Sequence, residues 1–289
     1  MRQRLISAAV LVPVVVLVFL AGQPWLTFGI AILAILAAWE TTRLIRLAGL
    51  PAVPWVAISA PLLAVFAFES VLRPGGIELG SLLLAPGLAL WLMAAALPAL
   101  RDGDPRSGLL SWVGTLFAGL YPSLLAFLVG VLWLKAFDTP HLADGVFSSG
   151  RAWLLVLVAT VWSLDSAAYL AGRYHGRGRF MNHISPNKTW SGVVGGTITG
   201  VVVCTALVTM LLRLEPWLGA FIGLVVAISA QAGDLAESML KRAAGAKDSG
   251  NLIPGHGGVL DRLDSLLFAA PALYSILVIG GLLGLGGLR

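Results

Sequence analysis

Long apolar runs separated by short polar breaks set the pattern of this chain. The first follows Arg2 and Arg4 and carries about eighteen apolar residues up to Gly22. The second covers about 26–39 and is closed by Glu40, Arg43 and Arg46; the third and fourth cover about 51–68 and 80–98. A polar hinge, Arg101 to Arg106, leads into a fifth run at about 108–134, broken by Pro122 and expected to be kinked or tilted. After the polar loop Lys135–Gly150 come runs at about 151–172, 190–212, 216–233 and 265–287. About 20 apolar residues cross a bilayer as a helix, so the pattern predicts an all-α polytopic membrane protein with about nine spans. It divides into an N-terminal region, 1–150, with about five spans, and a C-terminal region, 151–289, with about four. A cleaved signal peptide opens in a similar way, but the length of the first run and the Gln23-Pro24-Trp25 that follows favour an uncleaved span.

Composition agrees with the pattern. Of 289 residues 58% are hydrophobic and 11% charged, and mean hydropathy is +0.91; a soluble domain carries about 25% charged residues. The net charge of +5 does not point to nucleic acid, because the basic residues sit in short loops between spans. Alternating those loops across a membrane, with the N-terminus in the cytoplasm, collects 14 of the 19 Lys and Arg on one side. The five on the other side are Arg73, Lys135, Arg151, Arg213 and Arg289. This bias predicts a cytoplasmic N-terminus and places the stretch 234–264 at the cytoplasmic face. The single cysteine, Cys204, lies in an apolar run, which leaves no disulfide framework and no cysteine metal site.

The polar chemistry is concentrated between Asp234 and Asp264. Five of the 14 acidic residues lie there, Asp234, Glu237, Asp248, Asp261 and Asp264, interleaved with Lys241, Arg242, Lys247, His256 and Arg262. Asp234, Glu237, Ser238 and Lys241 are spaced i, i+3, i+4, i+7, one face of a helix. Gly250–Gly258 holds four glycines and Pro254 and reads as a loop. Asp261, Asp264 and Ser265 are expected on one face of a new helix. Carboxylates on both sides of a glycine loop suit a metal–phosphate site, because carboxylate oxygens hold Mg²⁺ while bare N–H groups and basic side chains hold phosphates. Asp234 and Asp261 either form ion pairs with Lys241 or Arg262, or converge on a metal. His256 is a surface residue, a phosphate ligand or a proton donor to a leaving group. No second His or Cys is spaced for zinc, and no nucleophile elbow supports a hydrolase.

Two further elements carry candidates. Asp165 lies inside an apolar run, where a charge costs about 2.5–3.5 kcal/mol on insertion scales, and Tyr169 and Arg173 follow on the same face. The alternative for Asp165 is a hydrogen bond to a neighbouring span. Ser185-Pro186-Asn187-Lys188-Thr189 stands just before a span; hydroxyls, a lysine and a helix N-terminus make an anion seat.

The stretch resembles the phosphatidate cytidylyltransferase (CDP-diacylglycerol synthase) family. The pattern S-x-x-K-R, K-D, I-P-x-H-G-G, D-R-x-D is filled at Ser238, Lys241, Arg242, Lys247, Asp248, Ile253, Pro254, His256, Gly257, Gly258, Asp261, Arg262 and Asp264. A D-x-x-A-Y element is matched by Asp165, Ala168 and Tyr169. An S-P-K-K-T-x-E-G element is matched at Ser185, Pro186, Lys188, Thr189 and Gly192, with Asn187 and Ser191 departing from it. The resemblance implies Mg²⁺-dependent transfer from CTP to phosphatidate, giving CDP-diacylglycerol and diphosphate. It implies a metal-binding role for Asp234 and Asp261, with Asp264 and Asp165 supporting them or holding a second metal or monovalent ion. Lys188, Lys241, Arg242, Lys247 and Arg262 would clamp phosphates. Ser185, Thr189, Ser238, Asp248, Gly257, Gly258 and Tyr169 would complete the substrate site. CTP and the membrane lipid phosphatidate are the expected partners, with a homodimer open, in the cell's inner or plasma membrane. A transporter with intramembrane carboxylates, or a transferase acting on another lipid phosphate, are the alternatives.

Overall fold

The computed structural model describes residues 2–73, 78–134, 142, 148–176, 178–255 and 257–283. Lys135, Arg177, His256 and Arg289 lie outside the described residues. The described chain forms ten α-helices and one 3₁₀ turn, without a β-strand. In order these are α1 (Arg2–Ala21), α2 (Trp25–Leu47), α3 (Pro54–Leu72), α4 (Glu78–Ala99), α5 (Pro105–Ser123), α6 (Ala126–Trp133), α7 (Ser149–His175), α8 (Trp190–Leu211), α9 (Pro216–Ala243) and α10 (Asp264–Leu282). The 3₁₀ turn is Leu260–Arg262. All nine apolar runs are therefore helical. Seven helical segments are long and apolar enough to cross a membrane, with α5 and α6 together as one of them; Leu11–Ala21 and Leu84–Ala99 are shorter apolar segments of α1 and α4.

Two expectations are corrected. The second run does not close at Glu40. Helix α2 continues to Leu47 and buries Glu40, Thr41, Thr42, Leu44 and Ile45. A carboxylate can sit there because protein donors satisfy it, as described below. Asp261 and Asp264 do not share one helix either. Asp261 belongs to the 3₁₀ turn and α10 starts at Asp264. The expected break in the fifth run is present: α5 ends one residue after Pro122, and α6 begins at Ala126.

The described residues group into two compact units. The first comprises Met1–Gly130 with Leu240–Leu263; the second comprises Val131–Met239 with Asp264–Arg289. In the first, α2, α3 and α5 pack on one another and α4 lies against α3 and α5. Val56, Ala60, Trp91 and Ala95 form a buried cluster, and the Trp91 indole donates to the Val56 carbonyl at 3.1 Å. In the second, α7 and α8 form the most extensive helix pair. Gly192, Gly196 and Gly200 of α8 lie against Leu164 and Ala168 of α7, where an added Cβ would crowd both. Small residues at such a seam let two backbones approach closely.

Candidate functional site

In the second unit a pocket of about 460 Å³ opens between α7, α8, α9 and the loop before α8. Asp165 and Tyr169 reach it from α7, Lys188 and Thr189 from the loop, and Gln231 and Asp234 from α9. The loop is held shut on itself. Phe180 N–H donates to the Lys188 carbonyl at 2.8 Å, and Trp190 N–H to the Gly178 carbonyl at 3.1 Å. The Phe180 and Trp190 rings meet edge to face at 4.6 Å. Thr189 caps α8, its hydroxyl accepting from Gly192 N–H at 3.1 Å. Lys188 is thereby fixed at the foot of α8, where its ammonium pairs with Asp234 Oδ2 at 2.8 Å. Ser238, one turn further along α9, donates to Asp234 Oδ1 at 3.3 Å. Gln231 is anchored from behind, its amide donating to Thr197 Oγ1 at 2.8 Å. Arg173 donates weakly to the Tyr169 hydroxyl at 3.4 Å. Asp264 opens α10 in the same unit; its carboxylate accepts from Ser265 N–H at 2.7 Å. Gly233 lets α9 approach the Asp264 carbonyl, a place any Cβ would fill.

In the first unit Asp261 is the centre. Its Oδ1 pairs with Lys241 Nζ at 2.7 Å. Its Oδ2 accepts from Ser249 N–H at 2.9 Å, Gly258 N–H at 2.8 Å and the Ser249 hydroxyl at 3.0 Å. Burial pushes the Asp261 carboxyl up, but the Lys241 ammonium and the two backbone donors outweigh it and hold the group below its ordinary value. The loop between Lys241 and Asp261 closes as a small hairpin, Ile253 N–H donating to the Gly257 carbonyl at 3.0 Å. Gly257 has φ +83°, which a side chain would strain. Beside this hairpin lies a second pocket of about 580 Å³, into which Lys247, Asp248, Asn251 and Arg262 project. Arg242 is exposed and donates to the Ala246 carbonyl at 3.3 Å, closing the end of its own helix.

The candidates thus fall into groups. Asp165, Tyr169, Lys188, Thr189 and Asp234 share one pocket; Lys241 pairs with Asp261; Lys247, Asp248, Gly257 and Arg262 share another pocket. Of the ion pairs weighed from sequence, Asp261–Lys241 is present. Asp234 pairs instead with Lys188. Ser185 holds the turn before α8, its carbonyl accepting from Lys188 N–H at 3.2 Å. His256 lies outside the described residues.

Two residues with direct contacts to this machinery escaped the sequence reading. Ser249 donates its N–H to Asp261 and shares its one hydroxyl proton between Asp261 and Glu40. Glu40 of α2, 1% exposed, accepts from the Ser249 hydroxyl at 2.8 Å, Leu260 N–H at 2.8 Å and Val259 N–H at 3.1 Å. The cost argument that singled out Asp165 applies to Glu40 as well, once α2 is known to run past it.

The donor set suits Mg²⁺. That ion takes hard oxygen ligands and is commonly held by one or two carboxylates, with phosphates and water filling the remaining positions. Asp165 and Asp234 present two carboxylates to one pocket. Among the described residues no cluster of three or more His, Cys, Asp or Glu is present. Asp261 differs, since Lys241, the Ser249 and Gly258 N–H groups and a share of the Ser249 hydroxyl already engage its two oxygens.

In this helical membrane protein the lysine-paired Asp234 lines a pocket beside Asp165. The chain belongs to the cytidylyltransferase family, whose model matches residues 2–279. A phosphatidate cytidylyltransferase of Haemophilus influenzae is 34% identical over 289 aligned positions, covering 94% of this chain and 96% of that protein. One of Brucella suis is 46% identical over 125 residues, 43% of this chain and 46% of that protein. One of Staphylococcus haemolyticus is 40% identical over 132 residues, 45% and 51% of the two. In these last two matches the chain spans about half the relative's length.

Proposed function

We propose that the protein is a phosphatidate cytidylyltransferase that joins CTP and phosphatidate to give CDP-diacylglycerol and diphosphate. The observation that carries this reading is the Lys188–Asp234 pair beside Asp165 in a pocket at the foot of α8. A phosphate oxygen of phosphatidate attacks the α-phosphorus of CTP. The bond from that phosphorus to the bridging oxygen breaks, and diphosphate leaves with the electron pair. The attacking phosphate is already an anion, so no strong general base is required. The obstacle is bringing one polyanion against another, and catalysis of this kind is largely positioning and charge neutralisation. Lys188 supplies a fixed ammonium beside the positive end of the α8 dipole. Asp165 and Asp234 would hold Mg²⁺, which would supply Lewis-acid neutralisation of phosphate oxygens. The excess of basic residues on one set of loops supports a reaction at the cytoplasmic face of the cell membrane, where the nucleotide is available.

The test uses purified protein in detergent or lipid, with phosphatidate, Mg²⁺ and CTP carrying a radiolabel in the α-phosphate or base. Label should enter the organic phase in wild type, and fail to do so with EDTA or in Asp234→Asn. Well-folded wild type that incorporates no label would overturn the reading.

A further inference from the structure

Glu40 has a place in the chain that neither a lipid-facing helix nor a packed core requires. It lies in the inner part of an apolar helix and contacts a loop more than two hundred residues away in sequence, with separations of 209, 219 and 220 to its three donors. A carboxylate removed from water is costly unless hydrogen bonds replace its hydration, and here one hydroxyl and two N–H groups do so. The loop is shaped around it. A Cβ at Gly250 or at Gly258 would run into the Glu40 carboxylate, so both glycines are needed for the backbone to close on this one side chain. An apolar side chain of similar volume would leave the Val259 and Leu260 N–H groups without this acceptor, so the carboxylate is fitted to the loop and not to packing alone.

The donors identify what the carboxylate controls. Val259 and Leu260 lead directly into the 3₁₀ turn that carries Asp261. Gly258, next to them, gives its N–H to Asp261 Oδ2 at 2.8 Å. Ser249 lies between the two acids, its hydroxyl 2.8 Å from Glu40 Oε2 and 3.0 Å from Asp261 Oδ2. Glu40 therefore fixes both strands of the loop that supply donors to Asp261, and Asp261 in turn holds Lys241 at 2.7 Å. We infer that Glu40 is a positioning residue for cytidylyl transfer: through Ser249 and the Gly258–Leu260 backbone it sets the orientation of the Asp261–Lys241 pair. This inference rests on the function proposed above.

The experiment compares wild type, Glu40→Gln, Ser249→Ala and the double variant as purified full-length proteins. Turnover is expressed per folded molecule, and amide hydrogen exchange is followed over residues 247–262. Glutamine keeps the volume but turns an NH₂ group toward at least one of the three donors. Expected for Glu40→Gln are a fall in kcat of about 10–100-fold, as for other residues that orient a ligand from behind, a KM for CTP within about 3-fold of wild type, and faster exchange at Gly258–Leu260. Ser249→Ala should give a smaller loss of kcat. The double variant should lose less than the product of the two singles, because both act on one carboxylate. Wild-type kcat per folded Glu40→Gln molecule would overturn the inference, and so would unchanged exchange over the loop. Should wild type itself make no CDP-diacylglycerol, the functional reading fails, while the exchange measurement still decides whether Glu40 positions the loop.

Discussion

The two units each hold a carboxylate paired with a lysine, and the pairs are alike in length but opposite in setting. Lys188–Asp234 measures 2.8 Å with side chains 23% and 31% exposed; Lys241–Asp261 measures 2.7 Å with 13% and 9%. Asp234 has one further donor, Ser238, whereas Asp261 has three more contacts on its second oxygen. The difference teaches that an ion-pair distance says little about what a pair is for. One carboxylate keeps lone pairs directed at a pocket, where an incoming cation or phosphate can compete for it. The other is already coordinated by the protein and behaves as part of a scaffold that presents Lys241.

Measurements can break that comparison, beginning with the largest effect. Asp234→Asn and Asp261→Asn should each reduce label incorporation by at least about 10³-fold, the scale on which preorganised charge stabilises a transition state, with membrane insertion intact. Wild-type turnover in Asp234→Asn would remove that residue from the proposed site, and in Asp261→Asn it would show that the Asp261–Lys241 pair does not support the reaction. Stability should separate the two. Asp261→Ala removes one partner of a largely buried lysine and the acceptor of two buried N–H groups and should cost about 3 kcal/mol, whereas Asp234→Ala should cost about 1 kcal/mol or less. Equal losses in thermal unfolding would erase the distinction between scaffold and open ligand. Asn187→Lys adds a cation beside the pocket of Lys188 and should lower the KM for CTP by about 2–5-fold, in line with one more exposed charge contact. An unchanged KM would show that position 187 faces away from the nucleotide.

The smallest expected effect is one of pH. Asp261 is held below its ordinary value in the folded protein. A depressed carboxyl contributes its stability in full above the unfolded value of about 4 and loses it as pH falls through the folded value. The unfolding temperature of wild type should therefore drop more steeply below about pH 4 than that of Asp261→Asn, which has no proton to take up there. Parallel curves would mean that its donors leave the carboxyl unshifted.

Much of this was legible in the chain because it is local. The phase of Asp234, Ser238 and Lys241 along α9 follows from spacing, and a helix N-terminus just after Lys188 and Thr189 follows from polar residues standing before an apolar run. The pairing of Lys188 with Asp234 was not legible, because the nearer Lys241 and Arg262 were equally plausible partners by charge. The split between Asp261 and Asp264 was hidden by a 3₁₀ turn, which changes the residue phase at the point where spacing was being used. Glu40 was misread as the end of a membrane run. The rule that a charge marks the edge of a span holds only while the charge faces water, and the donors that keep this one dry lie at the far end of the chain.

That distance has a consequence for how the molecule is made. Helix α2 leaves the ribosome long before Ser249, Val259 and Leu260 are translated. Until they arrive Glu40 has none of its three donors, and must wait beside water or with a temporary partner. The first unit can lock only when nearly all of the sequence has been synthesised, so shorter products of interrupted translation carry α2 without the loop that Glu40 organises.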